Sequence, residues 1–389
     1  MRLTARGWTC LVAGGLWVVA AYAVGEHDLV WPGMFLAALP VVSLLAMLPS
    51  AGRARIRRGV PSQPVPATVP ASWTMRLRAP GLNLGGQGEV REELAPALGG
   101  SWTIAFPLGL TPRTCSFQVG VTPAWRGRHR VGPTQLRLTH PFGMARTVRT
   151  LRQQDVLVAT PPVYPLEQVR ALTAGSSGTH SPVPRAGALG VDDSMLREYQ
   201  PGDDTRRIHW PTSARVGELM VRREEHALDP AATILVDNRA RCYSTEDFDP
   251  RLEAAVALAA SIGAHLLREG FSLDLADCGG GLDSWDTSSQ ETGLLLRLTD
   301  LARCDAVDLP APTRNQGGLF VAILGGLGQD DATALEDACR DQRHRWAIVI
   351  AGGRDDPSGE SLLRQAGWHC LRVAPTTLPH LVWARLAGA

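Results

Sequence analysis

The sequence predicts three parts in series: an N-terminal two-helix transmembrane hairpin, a β-rich, sandwich-like middle domain, and a C-terminal α/β domain with a mostly parallel sheet. Three observations carry that prediction. Two apolar runs of membrane-spanning length open the chain, short stretches of alternating apolar and polar residues follow, and the last part alternates strand with helix patterns. At 389 residues there is room for a membrane segment and more than one core.

The apolar runs extend from Trp8 to Gly25 and from Leu29 to Leu48, with only Glu26-His27-Asp28 between them. A link that short makes a hairpin whose outer ends share one side of the bilayer. Arg2 and Arg6 precede the first run, Arg53, Arg55, Arg57 and Arg58 follow the second, and the connecting loop has no arginine. The positive-inside rule then puts both ends, and everything that follows, in the cytoplasm of a multi-pass inner or plasma-membrane protein. Trp8, Tyr22 and Trp31 fall at the expected interfaces. The competing reading is a signal peptide cleaved near Ala21-Tyr22-Ala23, after which the second run would act as the anchor.

The middle domain is read from the alternation in Trp73–Arg78, Trp102–Phe106, Cys115–Val121 and Gln135–Leu138, separated by Pro and Gly. One face of each sheet is expected to be buried and the arginine-bearing face wet. That includes Arg126-Gly-Arg-His-Arg130, which has no accompanying aromatic platform and is read as a solvated strand face, with no nucleic acid partner. Ala171 to Leu189, with Gly175-Ser-Ser-Gly178, reads as a linker. The resulting division is 1–58 hairpin with basic flank, 59–170 β-rich domain, 171–195 linker, 196–225 a charged segment, and 226–389 the α/β domain.

In the last part, Ala232–Asp237, Phe271–Ala276, Leu319–Leu324 and Trp346–Ala351 read as strands. Leu252–Leu267, Asp331–Cys339 and Leu362–Ala366 read as helices. Asp237 would stand at the mouth formed by the carboxyl ends of the strands. Gly325-Gly-Leu-Gly328 lacks the third glycine of a dinucleotide fingerprint and reads as a strand-to-helix turn.

Composition excludes some chemistry. All 39 basic residues are arginine, so neither a phosphate-binding-loop lysine nor Schiff-base catalysis is available. The seven cysteines are scattered without a C-x-x-C pair and read as buried hydrophobes, which supports neither a zinc site nor a disulfide framework.

The densest unusual stretch is 196–225. Gln200-Pro-Gly-Asp203 reads as a turn. Tyr199, Ile208 and Trp210 read as anchors, and Arg197, Arg206, Arg207 and Arg215 can fork onto Glu198, Asp203 and Asp204 in an ionic network. The run from Arg197 through Glu198, Tyr199, Gln200, Pro201, Gly202, Asp203, Asp204, Arg206, Ile208 and Trp210 to Ser213, Ala214 and Arg215 closely resembles the signature of DUF58, a bacterial family of unknown function. Arg126-Gly-Arg-His-Arg-Val-Gly-Pro, Pro141-Phe-Gly and the two-helix start also resemble full-length members. His209 and His140 depart from it, at positions where an acidic residue is expected.

The resemblance implies a von Willebrand factor A-like (Rossmann-like) C-terminal domain. It also implies association with a MoxR-type AAA+ ATPase, with transglutaminase-like membrane proteins alongside, in the manner of an adaptor or chaperone partner, which is read here as serving protein complex or envelope assembly. In a metal-binding A domain the first strand ends in Asp-x-Ser-x-Ser; here it ends Asp237-Asn-Arg-Ala-Arg241. Guanidinium groups cannot ligate a cation but can pair with Asp237. Asp237 is therefore read as a degenerate metal position, with no metal, cofactor or catalytic residue assigned. Two alternatives stand beside the adaptor: a metal-dependent hydrolase using Asp203, Asp204 or His209, and a purely structural envelope protein.

Overall fold

A computed structural model describes residues 2–46, 55–79, 86–107, 113–139, 141–168, 195–199, 208, 210–223, 231–246, 248–310, 318–352 and 357–387. The chain forms two compact units. The first is Met1–Val163 with Tyr243–Ser261 and Thr292–Arg303, and the second is Tyr164–Cys242 with Ile262–Glu291 and Cys304–Ala389.

The first unit begins with strand β1 (Arg2–Leu3), followed by helices α1 (Ala5–Val24) and α2 (Val30–Ala46). Thr4 caps α1 by accepting the Gly7 N–H at 3.2 Å, and Gly25, at φ 82°, ends it in the left-handed conformation that an L side chain resists. The helices pack closely because Gly14 has no side chain: a Cβ there would lie 2.6 Å from the Ala37 nitrogen. α1, and the helical stretch His27–Leu45 that α2 continues, are each long and apolar enough to cross a membrane, and Trp8, Trp17, Tyr22 and Trp31 are exposed on them.

Strands β2 (Arg55–Arg58), β3 (Val65–Pro66), β4 (Ala71–Ala79), β5 (Gln87–Leu94), β6 (Ser101–Pro107), β7 (Arg113–Val121), β8 (Gly127–Thr139), β9 (Ala145–Leu151) and β10 (Asp155–Thr160) follow. They form two sheets. In one, β8 is central, pairing antiparallel with β5, β9 and β10, while β6, β1 and β3 extend it; the other is β2-β4-β7. Alternating residues of both sheets, among them Trp73, Met75, Leu77, Val90, Phe106, Val119, Leu136 and Leu157, form one buried cluster. All four stretches read from alternation are strands.

Three expectations fail here. First, the boundary at 58 does not separate the hairpin's basic flank from the β-rich domain, because Arg55–Arg58 is strand β2, paired with β4 in the register Ile56 to Leu77. Alternation points Arg58 inward, where its fully buried guanidinium reaches Glu92 at 2.8 Å, Thr134 at 2.6 Å and Asp155 at 3.0 Å. Burial pushes the Glu92 carboxyl above the usual carboxylate range, even against the hydrogen bond from Thr134 and the charge of Arg58.

Second, Arg126 is not on a wet face. It is buried, donates to the Leu298 carbonyl at 3.0 Å and the Leu301 carbonyl at 2.8 Å, and is ion-paired with Glu253. Arg128 forks onto Asp300 at 2.7–2.8 Å, and Trp125 packs on Phe248 with ring centroids 5.3 Å apart. Third, these contacts draw Tyr243–Ser261 and Thr292–Arg303 into the first unit, so the boundary at 226 does not partition the packing. The linker 171–195 lies outside the described residues except for Met195, which starts a strand.

The second unit contains β11 (Met195–Glu198) and β12 (Met220–Arg223), an antiparallel pair with the short helix α3 (Trp210–Val216) between them. Its six-stranded sheet is built from β13 (Ala231–Val236), β14 (Ser272–Asp277), β15 (Leu282–Trp285), β16 (Leu319–Leu324), β17 (His344–Ile350) and β18 (His369–Val373), with order β15-β14-β13-β16-β17-β18. All neighbours are parallel except β14 and β15. Helix α4 (Pro250–Arg268) spans both units, while α5 (Glu291–Thr299), α6 (Gln329–Ala338), α7 (Pro357–Gln365) and α8 (Pro379–Ala387) complete the chain. The sequence reading contains neither β15, α5, β18 nor α8. β15 is a short hairpin return and β18 a mixed edge strand with one fully buried position, so neither has the continuous apolar run that marks β13 and β16.

Candidate functional site

Counted from its own first strand, the six-stranded sheet runs 3-2-1-4-5-6. Order reverses between β13 and β16, and in open parallel sheets ligands sit beyond the strand ends at such a reversal. β13 is buried along its length except at its first residue, so the strand delivers whatever follows it to that point. Asp237 follows, its N–H bonded to the Ile323 carbonyl of β16 at 2.8 Å.

Asp237 does not stand open at the mouth as expected; it is 0% exposed, because Arg239 folds back over it. The Arg239 Nε and Nη2 donate to the two Asp237 oxygens at 2.8 and 3.0 Å, and Nη1 and Nη2 donate to the two Asp331 oxygens at 2.6 and 3.1 Å. Carbonyls of Val307 and Gly326 accept at 3.2 and 3.4 Å. Arg241, half-exposed, reaches both Asp331 oxygens through Nη2 at 3.2 and 3.3 Å. Two guanidinium groups thus balance two carboxylates. Burial alone would lower the Arg239 pKa, but the bonds and charges of Asp237 and Asp331 outweigh it and raise the pKa above the ordinary arginine value.

The pairing of arginine with Asp237 was legible from the two arginines after the strand. The second carboxylate was not: Gly325-Gly-Leu-Gly328 supplies none, and Asp331 comes from the first turn of α6 beyond it. An acidic residue in a helix's first turn is a usual partner for the helix dipole, so sequence gives it no distinguishing mark. With the guanidinium seated between both carboxylates at 2.6–3.1 Å, the donor set does not fit a divalent cation.

Asn238 completes the closure. Its Oδ1 accepts from the Cys278 N–H at 2.9 Å and the Cys304 thiol at 3.4 Å, while Cys304 N–H donates to the Asn238 carbonyl at 2.9 Å. Burial, with Asp237 nearby, pushes the Cys242 thiol up to about 11 and raises Cys278 as well. These cysteines are held as thiols, not as nucleophilic thiolates.

The signature residues are only partly brought together. Arg197 and Glu198 lie on β11, where they pair with Val221 and Met220, and Tyr199, half-buried, continues that pairing through its N–H to the Leu219 carbonyl at 2.7 Å. Ile208 is buried, as expected of an anchor. Trp210 is not an anchor: at 64% exposed it starts α3 pointing outward, and Val216 and Leu219 are exposed beside it in sequence. Ala214 and Arg215 are exposed on α3, and Ser213 turns inward to accept the Met220 N–H at 2.8 Å. Pro201, Gly202, Asp203, Asp204, Arg206, Arg207 and His209 lie outside the described residues, as does His140.

Comparison with known proteins agrees with this segment. The family model described as "Protein of unknown function DUF58" matches residues 195–279, from β11 through the Asp237 loop to the end of β14. The chain is 27% identical over 214 residues to "Uncharacterized protein YeaD" of Bacillus subtilis (strain 168), a match covering 53% of this chain and 50% of that protein. Among solved structures it resembles a von Willebrand factor type A protein from Catenulispora acidiphila at 14% identity and TM-score 0.29, covering 41% of each chain. The ASH/PapD-like domain 7 of human CEP192 is similar at 11% identity and TM-score 0.20, covering 28% of this chain and 88% of that one. Those TM-scores carry no argument about fold, which rests here on strand order and pairing. On the sequence matches, residues 195–279 are similar to the DUF58 family model, and the chain as a whole spans about half the length of the curated relative it matches.

Proposed function

We propose that this protein is a non-catalytic, membrane-anchored adaptor that works with a MoxR-type AAA+ ATPase, alongside transglutaminase-like membrane proteins, in assembling complexes of the cell envelope. The α/β sheet is read as von Willebrand factor A-like on its strand order, the two sheets sharing one core as a sandwich, and the soluble parts as cytoplasmic on the arginine flanks of the hairpin.

One observation carries the reading. The place where such a sheet would hold a ligand is filled by the chain's own Arg239, bonded to Asp237 and Asp331, so the domain's remaining means of action is its surface. Within the family segment that surface offers Trp210, Val216 and Leu219, and an exposed tryptophan is the residue type most enriched among interface hot spots.

The test is retention of a MoxR-type ATPase from the same cell on the immobilised, detergent-solubilised full chain, with ATP and with ADP. Wild type is expected to retain it, and Trp210→Ala to weaken binding by roughly 30-fold, the loss of one hot spot, without a change in melting temperature. No retention by wild type in either nucleotide would sink the proposal, as would turnover of a small molecule by the purified chain.

A further inference from the structure

We propose that the foot of the two sheets, where the helical hairpin joins them, binds the anionic phosphate layer of the bilayer with Phe142 inserted into it; this rests on the membrane-anchored reading above. The position follows from the joints. α1 has 20 residues, about 30 Å at 1.5 Å per residue, which matches the hydrocarbon thickness and puts Ala5 at its boundary. The residue before it, Thr4, is tied to the turn Pro141–Met144: its N–H donates to the Met144 carbonyl at 2.9 Å and its hydroxyl to the Gly143 carbonyl at 2.5 Å. Leu3 pairs with Ala145, and a Cβ on Gly7 would lie 2.3 Å from the Met144 oxygen, so helix and turn are in direct contact. At the hairpin's other end, Leu44 packs against the core shared by the sheets.

That turn presents an aromatic ring outward at a conformational cost. Phe142 has φ 62°, a left-handed conformation that L side chains other than Asn and Asp rarely take, and is 73% exposed. The exposed Trp8 stands one turn along α1, as aromatic rings do at a membrane interface.

Charge points the same way. The strands entering and leaving the hairpin carry arginines directly opposite arginines: Arg2 faces Arg146 on β1–β9, and Arg55 faces Arg78 and Arg57 faces Arg76 on β2–β4. All six are exposed, and among the described residues none has a carboxylate partner. Like charges in direct cross-strand register oppose pairing unless an anion lies between them, and guanidinium pairs are well suited to forked phosphate contacts. Anionic headgroups are the nearest phosphates to strands joined to membrane helices, and each basic residue at such a surface adds attraction.

The test uses the full chain in nanodiscs, either of phosphatidylglycerol mixed with phosphatidylcholine or of phosphatidylcholine alone. The photoreactive residue benzoylphenylalanine replaces Phe142, Leu16 within α1, or the exposed Val69, which lies by the Gly127 end of β8, opposite the Thr139 end that meets the hairpin. Lipid adducts are expected at Leu16 and Phe142 but not at Val69. The Phe142 yield should fall roughly fivefold or more without phosphatidylglycerol, and equally in R55Q/R57Q/R76Q/R78Q with it present. Adducts at Leu16 without adducts at Phe142 overturn this inference and leave the anchor intact; none at Leu16 overturn the anchor and the inference together. Equal adducts at Val69, or a Phe142 yield indifferent to lipid charge, also overturn it.

Discussion

Arg239→Met removes the guanidinium while keeping most of its length and apolar contact. Asp237, fully buried, would lose both charged donors and keep the backbone N–H groups of Arg239 at 3.1 Å and Gly325 at 3.2 Å. Asp331 would retain Arg241, at 3.2 Å, as its guanidinium partner. Removing one partner of a buried ion pair costs about 3–5 kcal/mol, because the other charge stays buried without compensation. At about 2–4 °C per kcal/mol for a unit of this size, the melting temperature should fall by roughly 10 °C. Circular dichroism of the detergent-solubilised chain measures it. The triple variant R239M/D237N/D331N buries no net charge at the site and should recover at least half of the loss. A melting temperature for R239M within about 2 °C of wild type would refute the argument, since the cluster would then be no more than a surface pairing.

Three further outcomes are expected. Arg126→Met removes the guanidinium that bonds the Leu298 and Leu301 carbonyls and pairs with Glu253, so it should cost on the order of 3 kcal/mol and speed amide exchange around Leu298–Arg303. Asp249 accepts from the backbone N–H groups of Ser244 at 2.5 Å and Arg251 at 2.7 Å at the start of α4; burial would raise its pKa, but those bonds lower it below 3.8. Asp249→Ala should therefore cost about 1 kcal/mol by thermal melt at neutral pH, a contribution that wild type loses only as pH falls below about 3.8. His265, edge-on to Trp383 at 5.2 Å, is pushed below its usual 6.5 by burial, so the unfolded chain takes up the proton first. Stability from this group is fully present above about 6.5 and is lost as pH falls below that value through the lower folded pKa, and His265→Gln should flatten that part of a melting-temperature profile.

How much was legible follows from how local each signal is. The helices of the hairpin, the strands β4, β6, β7 and β8, and the strand–helix alternation that sets up β13 and β16 are written in hydrophobic period, which depends only on near neighbours in sequence. The arginine after β13 could be paired with Asp237 because the two stand in one loop. Asp331 could not be added to that pair, since it lies 92 residues from Arg239 and sheet order alone brings α6 beside it.

Arginine burial failed to be legible for the same reason. Arg58 and Arg126 look like their exposed neighbours Arg57 and Arg128, and a strand's alternation says which residues share a face but not which face a distant segment will cover. The carboxylate Glu92 for Arg58, and the carbonyls of Leu298 and Leu301 for Arg126, come from segments 34 to 175 residues away. Trp210 erred in the opposite direction: an aromatic amid charges reads as an anchor, and only the packing shows it left outside. The sequence by itself therefore determined element types, the membrane-length hairpin and the pairing of an arginine with Asp237 after the first strand of the α/β sheet. Tertiary structure alone decided which charges are buried and what they meet, because desolvation and long-range pairing are properties of where segments are brought together.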